Sequence, residues 1–399
     1  MTADRWLTVS PYRSFPPQSG GGRRVYHINR GLARAGFEVE LFAGSYVRRS
    51  EHRIGERPYR ETIAPGLVEQ RYANPLLMAL NDTLRRSGRP ELGASLLPKL
   101  ALPAPRLTRA LADHTVVMLE HPYWYDRIAG QMQAGHVLVL DAHNIESALY
   151  AELAGGGALD RALLRRLETI EGRAMRAAQA VFFCSDNDRD NACKRFGLNR
   201  ARTHIAPNGV DTREVVPGDA VARAAAKQEL GLGERPVALF VGTDWRPNVE
   251  AVRRLFDIAR ALPEVTFVAA GSVARAFPGG GSPNLLLPGF VGSLAPWLTA
   301  ADIALNPMLS GSGSNLKLFE YLAAGLPVVS TPFGLRGLEP DTRSAVVSIE
   351  IEGFATAVRA LLADPALPQR REDARRLALP YDWDTIASRM AGAIRSLLR

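Results

Sequence analysis

Cysteine and lysine are both scarce in this chain. Only Cys184 and Cys193 occur in its 399 residues. Two cysteines cannot form a metal site alone, and their setting gives no disulfide framework. A reducing cytoplasm, or the inner face of its membrane, is the expected location. Lysine is confined to Lys99, Lys194, Lys227 and Lys317, so arginine supplies nearly all of the positive charge. Aromatic residues make up 7% of the chain and lack the pattern of an RNA-binding sheet, which argues against nucleic acid. No apolar run approaches the roughly 18 residues of a membrane span. The opening MTADRWLTVSPYRS is too polar for a secretory signal. A G-x-G-x-x-G fingerprint with a closing acid is also missing, which weakens a dehydrogenase reading.

What is present points to two well-filled domains, since 46% of the residues are hydrophobic. The formal charge of +8 is uneven: residues 1–207 hold 29 of the 49 basic residues and 21 of the 41 acidic ones. The excess therefore lies in the first half. It suggests either an anionic partner or simply an arginine-rich soluble surface.

Along the chain, RWLTVSP predicts a strand, SGGGRR a glycine loop, and VYHINRGLARAG a helix leading to the strand EVELFAG. Residues 45–112 are irregular, with Arg48, Arg49, Arg53, Arg57 and Arg60 followed by leucines broken by prolines. Leucines interleaved with Arg85, Arg86, Arg89, Lys99, Arg106 and Arg109 predict short amphipathic helices. Such helices suit either an anionic membrane surface or an ordinary insertion. Alternation then resumes. TVVMLEH ends in Glu120–His121, HVLVLDAHN in His143–Asn144, and AVFFCS in Ser185. Polar residues closing successive buried strands point to one rim of a parallel sheet. Asp186 and Asp188 have a metal-ligand spacing, but an exposed turn after Ser185 is the expected setting, and no metal is assigned.

THIAPNGVD marks a boundary near residue 207, after which a second alternating unit runs to about residue 382. Residues 383–399 predict a terminal amphipathic helix. Within the second unit, SGSGSNLKLFEYLAAGLPVVST reads as a Gly/Ser loop, a helix starting near Asn315, a stop at Gly325 and a buried strand. Unpaired amides at such a helix start favour an anion. Lys317 in the first turn opposes the helix dipole at a cost of some tenths of a kcal/mol, a conflict that a bound phosphate would resolve.

The segments SGGGRRVYHINRGLARAGFEVELF, APNGVD, LFVGTDWRPN, LLLPGFVGSLAPWLTAADIALNP, SGSGSNLKLFEYLAAGLPVVST and YDWDTIASRM together resemble the retaining glycosyltransferases of the GT-B fold. That family includes bacterial polysaccharide and mannosyl transferases. The resemblance implies an α/β fold of two Rossmann-like domains facing across a cleft, residues 1–207 on the acceptor side and 208–382 binding a nucleotide-sugar. The helix at 383–399 would cross back to the first domain.

By position, the resemblance makes Glu320 the ribose ligand, a task suited to a carboxylate that accepts two hydrogen bonds from a diol. It places Asn315 and Leu316 on the diphosphate, with Gly21 and Gly22 as the opposing loop. After Gly242, Arg246 becomes one phosphate ligand and Lys317 the other. Gly271, Phe290 and Val291 would flank the base, and Ser312 and Ser314 belong to the donor loop. Ser312 stands where the family often has a glutamate near the sugar hydroxyls. His121 and His143 are implied contacts to the sugar or acceptor, with Asn144 on the acceptor side. Chemistry through the leaving diphosphate implies no metal and no cofactor, the nucleotide-sugar being substrate. A glycan or lipid-linked acceptor is expected, with peripheral contact to an anionic membrane as a further reading. A non-catalytic sugar-nucleotide-binding subunit and an epimerase on the same fold are the alternatives.

Overall fold

The computed structural model describes residues 4–17, 19–45, 60–73, 79, 83, 105–153, 156–311, 315–338 and 346–399. Most of the arginine- and leucine-rich stretch expected to touch a membrane, together with Ser312 and Ser314, lies outside these residues. Among the described residues no helix is long and apolar enough to cross a membrane. The chain forms two compact units, one of Met1–Pro207 with Trp383–Arg399 and the other of Asn208–Asp382.

The first unit is built on an eight-stranded sheet. In chain order its strands are β1 (Arg5–Ser10), β2 (Glu38–Ser45), β3 (Arg60–Ala64), β4 (Leu67–Ala73), β5 (Val116–Glu120), β6 (Val137–Ala142), β7 (Ala180–Phe183) and β8 (Thr203–Ile205). Their spatial order is β3-β4-β2-β1-β5-β6-β7-β8, and every pair is parallel except β3–β4. Strands β5, β6 and β7 are buried along their whole length. Helices covering both faces of a parallel sheet require such continuous apolar runs.

Three expectations for this unit need correction. The irregular segment contains the β3–β4 hairpin on the sheet's edge. Its second strand buries Glu69, Gln70 and Arg71, so no apolar alternation announces it. Glu69 is satisfied by Arg71 at 2.7 Å and by the amide of Ser14 at 2.8 Å. The triple glycine is likewise not a loop. It forms the first turn of the helix Gly20–Arg34, capped by Ser19, whose Oγ accepts from the Gly22 amide.

The terminal helix, Trp383–Arg395, packs on this first helix within the same unit. Trp383 stacks on His27 with ring centroids 5.6 Å apart, and Gly31 leaves room for Ala387. Asp186 and Asp188 also depart from expectation: they occupy the first turn of the helix Asp186–Phe196, with Ser185 as its cap.

The second unit carries an all-parallel six-stranded sheet in the order β11-β10-β9-β12-β13-β14. Its strands are β9 (Val237–Val241), β10 (Thr266–Ala270), β11 (Leu285–Gly289), β12 (Ile303–Asn306), β13 (Val328–Ser330) and β14 (Val346–Ser348). Two apolar clusters fill its two faces, one around Phe319, Tyr321 and Tyr381, the other around Phe240, Phe267 and Phe354. The two Rossmann-like α/β units read from the sequence are thus present.

Candidate active site

In the first unit, the strand ends meet the start of the glycine-led helix. Arg24, one turn into that helix, is 1% exposed and closes a bidentate pair on Asp141, with Nε to Oδ2 at 2.9 Å and Nη2 to Oδ1 at 2.6 Å. Its third donor reaches the carbonyl of Pro207 at 3.0 Å. Burial alone would lower the Arg24 pKa, but Asp141 outweighs it and the guanidinium stays charged. Asp141 is held ionised in turn: burial would raise its pKa, and Arg24 and His143 reverse that. A buried charge needs a partner of this quality to repay its lost hydration.

His143 follows β6, and its Nε2 donates to Oε2 of Glu120, the last residue of β5, at 2.7 Å. Burial would lower its pKa, yet Asp141 and Glu120 raise it to about 9. Nδ1 is left facing the first helix, 3.8 Å from where a β-carbon on Gly21 would stand. His121 has its own carboxylate: Nδ1 lies 2.8 Å from Glu146 Oε1, and Nε2 lies 3.0 Å from the Tyr12 hydroxyl. The two imidazoles are 4.2 Å apart. His121 is the one non-glycine residue with positive φ among the described residues, at 69°. That strain is typical of functional sites and costs about 1–3 kcal/mol.

Glu120, Asp141 and His143 place potential ligand atoms within 4.8 Å of one another. Arg24 and the His143–Glu120 bond already occupy most of those atoms, a donor set suited to holding a protonated imidazole. Asn144 Nδ2 approaches Glu146 Oε1 at 3.4 Å. Glu171 caps the helix Glu146–Leu153 through the amides of Glu146 and Ser147, and burial raises its pKa to about 7.

In the second unit, the rim at the carboxyl ends of β9, β10 and β11 is glycine-lined. A β-carbon on Gly271 would lie 2.2 Å from the Gly242 carbonyl oxygen, and the φ of Gly271 is 109°. The backbones can approach this closely only because Gly271 has no side chain. Phe290 beyond β11 is 80% exposed, and Val291 is half-buried. Gly21 and Gly22 belong to the first unit, in the first turn of its opening helix.

Behind β9, the helix Arg246–Ala261 starts at Arg246, whose largely exposed side chain pairs with Glu250 at 2.9 Å. Glu250 also accepts from Ser310 Oγ at 2.7 Å, which ties Arg246 to the loop leading into the focal helix. That helix runs Leu316–Ala323 with Asn315 as its first cap residue. The Asn315 side chain donates to the Gly334 carbonyl at 2.7 Å rather than to its own helix.

Lys317 turns away from the helix axis. Its Nζ donates to Asn248 Oδ1 at 2.8 Å and sits 4.2 Å over the Phe240 ring. Among the described residues no carboxylate lies within ion-pair distance of it. Burial lowers its pKa to about 7, with Glu320 opposing weakly. Glu320 is half-buried on the same helix.

Three groups here were not singled out from the sequence. Asn248 is buried and positions Lys317. Trp245 and Arg336 flank Gly311, 3.2 and 3.5 Å from where its β-carbon would be. The PN that follows Arg246 was the available signal for Asn248, whereas Arg336 arrives from beyond β13 and had none.

Comparison with known proteins agrees with this architecture. Residues 18–214 match the family model described as Glycosyltransferase Family 4, and residues 235–364 match Glycosyl transferases group 1. A D-inositol 3-phosphate glycosyltransferase of Geodermatophilus obscurus is 28% identical, covering 98% of this chain and 88% of that protein. The sucrose-phosphate synthase of Thermosynechococcus elongatus superposes with a TM-score of 0.74 at 18% identity, over 98% of this chain and 99% of that one. HepE of Anabaena, solved in complex with UDP, gives 0.68 at 15% identity over 98% and 100%. The chain belongs to the GT-B glycosyltransferases that carry a C-terminal glycosyl transferases group 1 domain.

Proposed function

We propose that this glycosyltransferase takes its sugar from a nucleotide-sugar bound at the glycine-lined rim of the second unit. It passes the sugar to a glycan or lipid-linked acceptor with retention of anomeric configuration. The observation that carries the reading is Lys317, a cation with a depressed pKa, fixed by Asn248 and lacking a carboxylate partner among the described residues. A diphosphate supplies the missing counter-charge. The UDP complex of HepE supports a nucleotide donor of this kind.

In this reading Glu320 accepts from the ribose hydroxyls, and the amides around Asn315 and Leu316 hold phosphate oxygens. Arg246 is a second phosphate ligand once released from Glu250, and Phe290 and Val291 border the base. The bond from the anomeric carbon to the diphosphate oxygen breaks, and the acceptor oxygen bonds to that carbon on the same face. The acceptor's proton passes to the departing phosphate oxygen. Lys317 and the helix amides stabilise the charge that develops there, so the reaction needs no metal. Protonated His143 presents Nδ1–H to a sugar or acceptor oxygen, and His121 contributes beside it.

Steady-state kinetics with a panel of UDP-, GDP-, TDP- and ADP-sugars tests this. Glu320→Ala is expected to raise donor KM sharply and Lys317→Ala to lower kcat, with EDTA leaving the rate unchanged. Wild-type constants in both variants would remove the assignment.

A further inference from the structure

The second unit has another cavity, of about 600 Å³, at the opposite end of its sheet. It opens beside Asp302, which precedes β12, whereas the glycine rim lies beyond the far ends of the strands. Four arginines line it, Arg223 on the helix Ala220–Glu229 and Arg371, Arg375 and Arg376 on the helix Leu367–Ala378, against only Asp302 and Glu372.

Arg376 is paired with Asp373, whereas Arg371 and Arg375 have mainly neutral partners. Arg375 donates to the carbonyls of Thr212 at 2.7 Å and of Val215 and Ala323 at 2.8 Å each. Arg371 Nη1 donates to the carbonyls of Asp302 at 2.9 Å and Ala301 at 3.3 Å. Carbonyls orient a guanidinium without cancelling its charge. The Asp302 carboxylate is already engaged by Lys227 at 2.7 Å and by the Val237 amide at 2.8 Å. Arg223 reaches it only at 3.9 Å.

Two donors are left over: Arg223 Nε and Arg371 Nη2 are shut off from solvent and have no hydrogen-bond partner. These two atoms are covered within the cavity wall, while each side chain as a whole is only partly buried. An anion in the cavity would meet the open part of each guanidinium and offset its uncancelled charge. Burial and the neighbouring Arg223 lower the Arg371 pKa to about 10, which fits a guanidinium short of negative charge.

We propose that this cavity is a second anion site that takes a small phosphate monoester. Its phosphate would sit on Arg223 and Arg371, and its organic body against Pro217 and Leu367. The volume exceeds what a bare phosphate fills and lies in the range of small-molecule sites.

The test is calorimetric titration of the full chain carrying Lys317→Met and Arg246→Gln, which removes both cations proposed for the donor phosphate. Glucose 6-phosphate, inorganic phosphate and glucose are the probes. Glucose 6-phosphate is expected to bind more tightly than inorganic phosphate, and glucose not at all. Arg223→Gln and Arg371→Gln should each weaken binding by about tenfold or more. Arg223 makes only long contacts, so its variant decides the matter even if Arg371→Gln fails to fold. No glucose 6-phosphate binding, or binding unchanged by Arg223→Gln, would overturn the proposal.

Discussion

Glu120 and His143 close adjacent parallel strands with their side chains 2.7 Å apart, and both are buried. The carboxylate works through the imidazole: it helps keep the ring protonated and fixes which nitrogen faces the first helix. Glu120→Gln should therefore drop the His143 pKa from about 9 by roughly a unit or more, with Asp141 holding the remainder. Ring-nitrogen NMR across pH would record this, and an unmoved titration would refute the coupling. The stability effect has a defined sign. A raised histidine pKa contributes stability that is fully present below the unfolded value, about 6.5, and is lost as pH rises through about 9. The variant should show a shallower decline over that window.

Lys317 gives the opposite sign. Its folded pKa, about 7, lies below the ordinary lysine value of 10.5. Holding the charged form in the fold costs stability fully below pH 7, and the penalty fades as pH rises toward the unfolded value. Lys317→Met should accordingly raise the melting temperature at neutral pH and narrow its advantage toward pH 10. The same variant should lose the stabilisation that a nucleoside diphosphate gives the wild type. Thermal shift with and without the nucleotide reads both effects.

Gly271→Ala probes the rim without touching a charge. The new methyl would meet the Gly242 carbonyl at 2.2 Å while the backbone holds a φ of 109°. Overpacking and a disfavoured φ each cost about 1–3 kcal/mol, so a loss of at least about 2 kcal/mol is expected in urea unfolding. A neutral result would mean that the two backbones are not in close approach.

Much of this fold could be read from the alternation of strands and helices. The buried strands of both sheets are continuous apolar runs, and their polar closing residues, Glu120, His121 and His143, do share one rim. The β3–β4 hairpin escaped because Glu69 and Arg71 are buried as an ion pair, which erases the period of two. The first turn of the opening helix escaped because glycine disfavours helices, and only the Ser19 cap argues otherwise. The Arg24–Asp141 pair spans 117 residues of chain. No local pattern encodes a partner that distant. The Asn248 contact of Lys317 depends in the same way on how two separate helices pack.

Gly21 shows how an absent atom can hold a distant ring in place. A β-carbon there would lie 2.3 Å from the Tyr12 hydroxyl oxygen, which now rests 3.0 Å from His121 Nε2. Glu146 holds the other ring nitrogen, so the imidazole is clamped from both sides. A side chain at position 21 would displace Tyr12 and leave Nε2 without that partner. One methyl on the first helix would thus be registered as a loosened ring on β5's closing turn.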